Sequence, residues 1–209
     1  MDTKNTATAA APLLAFHGSE AIKEKYLARV CAHRAADEIR QGYGYWKPDA
    51  EGQFRGCAVG CTLHSSDHGA YERELGIPQL LARLEDRLFE GMPAEQALEW
   101  PAQFLNAITP GADLRLVWPK FMLWLLADAT DGVIKSAKKE ATKAAISGVA
   151  ALFQRWLDGS MPPASEWESA RRIAADAAAY AAAYAAAYAR RKHYGRMATK
   201  ILELLREAK

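Results

Sequence analysis

Cys57, Cys61, His64 and His68 lie within the run GCAVGCTLHSSDHG, residues 56–69. Sulfur and imidazole are the donors that zinc prefers, and the spacing C-x3-C-x2-H-x3-H offers four of them. Separations of three and four bring side chains onto one helix face, so Cys57 can meet Cys61, and Cys61 can meet His64 and His68. On this reading Cys57, Cys61, His64 and His68 are the candidate metal ligands and zinc the candidate cofactor. Structural zinc usually draws on two knuckles separated by a longer spacer, so one short run has to fold tightly or recruit help. His33 and Asp37, four apart, and Glu72 are the candidate extra ligands.

The same residues allow a second chemistry. A thiolate at Cys57 or Cys61, a base at His64 or His68, and an orienting carboxylate at Asp67, Glu72 or Asp37 would make a nucleophilic enzyme, a hydrolase or transferase. Packing is the third reading. Reduced cysteine is among the most buried residue types, Ala58, Val59 and Leu63 are interleaved with the cluster, and Ser65, Ser66 and Asp67 read as a turn. The chain has no GxxxxGK[ST], no GxGxxG after a strand and no HExxH, which argues against nucleotide hydrolysis and dinucleotide redox chemistry.

The elements that must position this run read as helices. Ser19 is a predicted N-cap for a helix running to about Arg40, with Glu20 in its first turn. Gly42, Gly44 and the stretch from Pro48 to Gly52 then break the chain. Tyr43, Tyr45, Trp46 and Phe54 sit in that irregular segment, and so many aromatic rings predict a loop that packs down. Residues 71–75 read as a short turn ending at Gly76, and Pro78 as the first-turn proline of a helix over 79–90. Pro93 opens another helix, with a break expected near Trp100 because Pro101 follows.

Residues 113–127, with Phe121, Met122, Trp124, Leu125 and Leu126, read as the most buried helix, and 133–157 as one long helix. Ser165 with Glu168 matches a capping box for a last helix reaching about Leu205. That helix contains AAAYAAAYAAAY, whose Tyr180, Tyr184 and Tyr188 form a slowly winding stripe on a strongly helix-favouring background. The expected fold is therefore all-α: a single-domain irregular helical bundle over 13–209 with a long Ala/Tyr-rich C-terminal helix, preceded by a disordered tail over 1–12.

Composition narrows the function classes. Half of the 209 residues are hydrophobic and a quarter charged, an ordinary globular balance. The longest apolar run, FMLWLLA at 121–127, is far short of the roughly 20 residues of a membrane span. Three cysteines without an apolar leader suit a reducing, cytoplasmic setting. A net charge of +2 argues against nucleic acid as the main partner. Arg190, Arg191, Lys192, Arg196, Lys200, Arg206 and Lys209 still crowd the last twenty residues, which keeps an RNA or single-strand binder as a further alternative.

The run GCAVGCTLHSSDHGAYERELGIP, followed by LARLEDRLFEGMP and an Ala-rich tail, resembles hypothetical proteins of bacteriophage and bacterial genomes from about Ala15 onward. The resemblance implies a mobile-element accessory role and assigns no activity, cofactor or site residue. Together these readings predict a small cytosolic binding or modulating protein whose Cys/His loop binds zinc or forms part of a recognition surface. Its partner would be a protein or a small molecule, and the sequence is compatible with a homo-oligomer.

Overall fold

The computed structural model describes residues 13–181 and 187–209, the side chains of 174–192 excepted. The expected disordered tail over 1–12 lies outside the described residues, and so do Tyr184 and the side chains of Tyr180 and Tyr188 that would form the stripe.

The Ser19 hydroxyl accepts the Ile22 N–H, as an N-cap should, and starts helix α1 at Glu20–Ala35. The helix stops five residues before Arg40. Its end is a Schellman arrangement in which Asp37 takes φ +58°, Glu38 N–H donates to His33 O (2.9 Å) and Asp37 N–H donates to Arg34 O (3.1 Å). This turn folds Glu38 back over the last turn of α1.

The segment expected to be irregular contains a small antiparallel hairpin, β1 (Trp46–Pro48) and β2 (Phe54–Gly56), with Trp46 opposite Gly56. Its turn is held by Asp49, whose carboxylate accepts the N–H groups of Glu51 and Gln53 and the Arg55 Nε–H. The chain then enters α2 (Ala58–Leu63), every residue of which is buried. Gly56 and Gly60 let it: the Tyr45 backbone lies so close to both that a Cβ on either would collide with it. Cys57 N–H closes the junction by donating to Gly44 O at 2.9 Å.

Helices α3 (Ala70–Leu75), α4 (Gln79–Gly91) and α5 (Ala94–Asn106) follow. Gly76 caps α3 in the left-handed conformation at φ +62°, as its position predicts. Pro78 is the residue before α4 rather than its first member. The break expected at Trp100 does not occur: α5 runs through Pro101 as one helix. A helical proline costs about 3 kcal/mol, and complete burial of Trp100, Phe104 and Leu105 around it offsets that penalty.

Helix α6 (Val117–Ala127) is shorter and less buried than the sequence suggested. Only Val117, Pro119 and Phe121 are fully inside, because α6 lies at the edge of the body against α7 and α9 instead of at its centre. The interior is built around α2, α4 and α5. The helix expected over 133–157 is divided into a 3-10 turn at Val133–Ser136, an extended Ala137, and α7 (Glu140–Leu157). Starting at Glu140 places a carboxylate on the positive end of the helix dipole, where it also binds Lys143 at 2.8 Å.

Helix α8 (Ala164–Ala181) begins one residue before Ser165, with Glu166 N–H bonded to Pro163 O, so Ser165 lies in the first turn and is not the cap. Helix α9 (Ala187–Glu207) packs on α4 and α6 and buries Ile201, Leu204 and Leu205. The described residues form one mostly helical body with the hairpin as its sheet, which is the all-α class expected. No helix among them is long and apolar enough to cross a membrane.

Candidate functional site

The Cys/His run divides inward and outward. Cys57 and Cys61 lie at the N-cap and within α2, 2% and 0% exposed, in the main apolar cluster. His64 ends α2 in the left-handed conformation (φ 56°) and is exposed, while His68 is half-buried on the following turn. An imidazole is among the side chains that tolerate this conformation, and its effect here is to turn the chain out of the core directly after Leu63.

Burial makes both thiols weak acids. Desolvation first, and the neighbouring Glu38 carboxylate second, push Cys61 up to about 12, while its Sγ–H points at Gly56 O at 3.4 Å. Desolvation and then Asp86 push Cys57 higher still. At neutral pH both are thiols, the reverse of what a nucleophile requires. Cys31, the remaining cysteine, is exposed on α1.

The two histidines of the run lie in separate neighbourhoods. His64 Nε2 meets His33 Nε2 at 2.8 Å, and His33 Nδ1 meets Glu38 Oε2 at 2.6 Å. A carboxylate only accepts, so in the neutral rings His33 donates from Nδ1 and its Nε2 accepts from His64, giving a directed chain from His64 through His33 to Glu38. Trp46 stacks against His64 (centroids 4.6 Å, 15°) and against Phe54 (5.3 Å, 16°). Burial, followed by the charges of Arg29 and His33, lowers the His64 pKa and favours its neutral form.

His68 faces Asp86 on α4, Nε2 to Oδ2 at 3.7 Å, with Tyr45 edge-on at 5.4 Å. These three residues, with Arg83, Arg87 and Glu90, line a cleft of about 430 Å³ between the hairpin and α4. The Asp86 carboxylate is mostly buried, with Cys57 as its neighbour on the inner side.

Thus Cys57 lies beside Asp86, on the His68 side, and Cys61 beside Glu38, on the His64 side, and the four residues of the run do not gather at one point. Among the described residues no group of three or more His, Cys, Asp or Glu side chains is arranged to hold a metal ion. Of the extra ligands considered, only His33 joins a histidine of the run. Asp37 pairs with Arg40, and Glu72 accepts the Gln79 N–H at 2.8 Å. Asp67 pairs with Arg73. The carboxylates that face the histidines are Glu38 and Asp86, which the spacing of the run gave no reason to select. Arg83, Asp86, Arg87 and Glu90 fall on the outer face of α4, opposite the buried Leu81, Leu84 and Leu88, and nothing in the spacing of that helix singled them out.

Compared with protein-family models, with curated proteins and with solved structures, the chain matches none.

Proposed function

We propose that this chain is a non-catalytic binding protein whose recognition surface is the face formed by the hairpin, the outward half of the Cys/His run and the charged side of α4. The observation that carries this reading is the division of the run itself. The sulfurs face inward and stay protonated, while the imidazoles lie at the surface beside the Tyr45, Trp46 and Phe54 rings. Aromatic rings beside a polar cleft provide contact area and, through Tyr45 and Trp46, hydrogen bonding, as small-ligand sites commonly do. Such a protein suits the accessory role that the resemblance to phage and bacterial hypothetical proteins implies.

Alkylation under native conditions tests it against the thiol enzyme. Cys31 should react with iodoacetamide first, and Cys57 and Cys61 only at the rate at which the fold opens. Labelling of Cys57 or Cys61 ahead of Cys31 would instead identify an activated nucleophile. A fragment screen read by NMR locates the surface: binders should move the signals of Tyr45, Trp46, His64 or His68.

A second reading, zinc binding, is supported by His33 and His64. Their Nε2 atoms converge, and Glu38 on His33 Nδ1 is the outer partner that metal-bound imidazoles usually have. Binding would require His64 to shift its proton to Nδ1 so that both lone pairs face the ion. Competition of zinc against a chromogenic chelator checks this. Affinity lost in His33→Asn and His64→Asn but kept in Cys57→Ser supports the pair, and loss in Cys57→Ser restores the thiol ligands.

A further inference from the structure

Helix α4 presents Arg83 and Arg87, one turn apart, to the cleft beneath Tyr45 and His68. Each has a carboxylate three residues onward, Asp86 and Glu90, and pairing within the helix would be the ordinary outcome. It does not happen. Glu90 is drawn to the chain before the hairpin, where its Oε2 accepts the Gly42 N–H at 2.7 Å, and Asp86 turns to His68 and Cys57. Both guanidinium groups therefore remain exposed, with no hydrogen bond or ion pair among the described residues. The same cleft is lined by the Asp86 and Glu90 carboxylates, so it presents both signs of charge to a ligand.

We infer that the cleft binds a small zwitterion, with Arg83 and Arg87 holding its oxyanion, phosphoryl or carboxylate, and the Asp86 and Glu90 carboxylates facing its ammonium. Guanidinium forks match both oxyanions, since each offers paired N–H donors to paired oxygens. Tyr45 closes one side with its ring, and the cleft volume of about 430 Å³ falls within the range of small-molecule sites. Neither charge alone is expected to suffice. The arginines are balanced by Asp86 and Glu90, so a simple anion gains from one pair of groups and is repelled by the other. The inference rests on reading this face as the recognition surface, and it names the chemistry that the face selects.

Titration calorimetry on the full chain tests it with four probes: phosphoethanolamine, β-alanine, inorganic phosphate and ethanolamine. One of the two zwitterions should bind about tenfold more tightly than either single-charge probe, and which of them wins identifies the oxyanion. The double variant Arg83→Gln/Arg87→Gln should lose about tenfold or more in affinity for that zwitterion. Its denaturation midpoint should be unchanged, because both side chains are exposed. Asp86→Asn should weaken the zwitterion while leaving phosphate no weaker, and by the loss of repulsion somewhat tighter. Zwitterions that bind no better than phosphate, or binding indifferent to the arginine pair, would overturn the inference. If uncharged fragments still shift Tyr45 and His68 in that case, the recognition surface stands without it, and if nothing binds the face, both fall.

Discussion

Cys57 and Cys61 are four residues apart, and so are His64 and His68, yet the two pairs occupy opposite environments. The thiols face an interior shared with Thr62, Tyr71 and Glu85, while the imidazoles stand at its rim, His64 linked to Glu38 through His33 and His68 facing Asp86. Helical spacing puts two residues on one side of a helix without saying which side is wet. Here α2 ends at Leu63, and the left-handed His64 reverses the direction in which the next residues point. The lesson is that a run of metal-type residues can be cut in two by a helix terminus. One half then serves packing and the other remains available for recognition.

The sharpest way to break this contrast is to remove the seat that separates the halves. Gly60→Ala places a methyl group against the Tyr45 backbone, and neither the fully buried helix nor the hairpin can move freely. A loss of about 3 kcal/mol in chemical denaturation is expected, together with displacement of Trp46 and altered tryptophan fluorescence. A stability equal to the parent's would show that the hairpin is not seated on α2 as described.

A second, smaller effect separates the two environments by the sense of their pH dependence. Glu85 is completely buried beside Tyr71, whose hydroxyl donates to it, and burial raises its carboxyl from the ordinary 4.5 to about 8. The folded chain therefore holds a proton that the unfolded chain releases. This contribution is complete below 4.5 and is lost as pH rises through about 8. Denaturation midpoints should fall over that range, and Glu85→Gln, which keeps the shape without the charge, should flatten the fall.

At the rim the sign reverses. The His64 pKa is lowered from its ordinary 6.5, so the unfolded chain takes up the proton first. Stability from this group is present above 6.5 and is lost as pH drops below that value toward the folded-state pKa. His64→Asn preserves a residue that accepts the left-handed turn and should remove this acid limb, the smallest of the three effects. An acid limb that persists in the variant would assign it elsewhere and weaken the picture of a neutral His64 donating to His33.

Much of the scaffold was legible because local chemistry agreed with it. The Ser19 cap and the Gly76 terminator are properties of a few neighbouring residues. The hairpin was not legible, because its three-residue strands are too short to show alternation. Nor was the shallow placement of α6, whose aromatic run looks the same whether a neighbour covers one side of it or all sides.

The sequence by itself determined a helical body, an unusual concentration of sulfur and imidazole, and the glycines at 56 and 60 that allow a backbone to come close. Propensity, spacing and side-chain size are local quantities and survive without coordinates. Tertiary structure alone decided that His33 meets His64, that Asp86 faces His68, and that among the described residues Arg83 and Arg87 lack carboxylate partners. Those contacts join residues far apart in the chain, and the proton affinity of each group depends on which charges and how much water the completed fold leaves beside it.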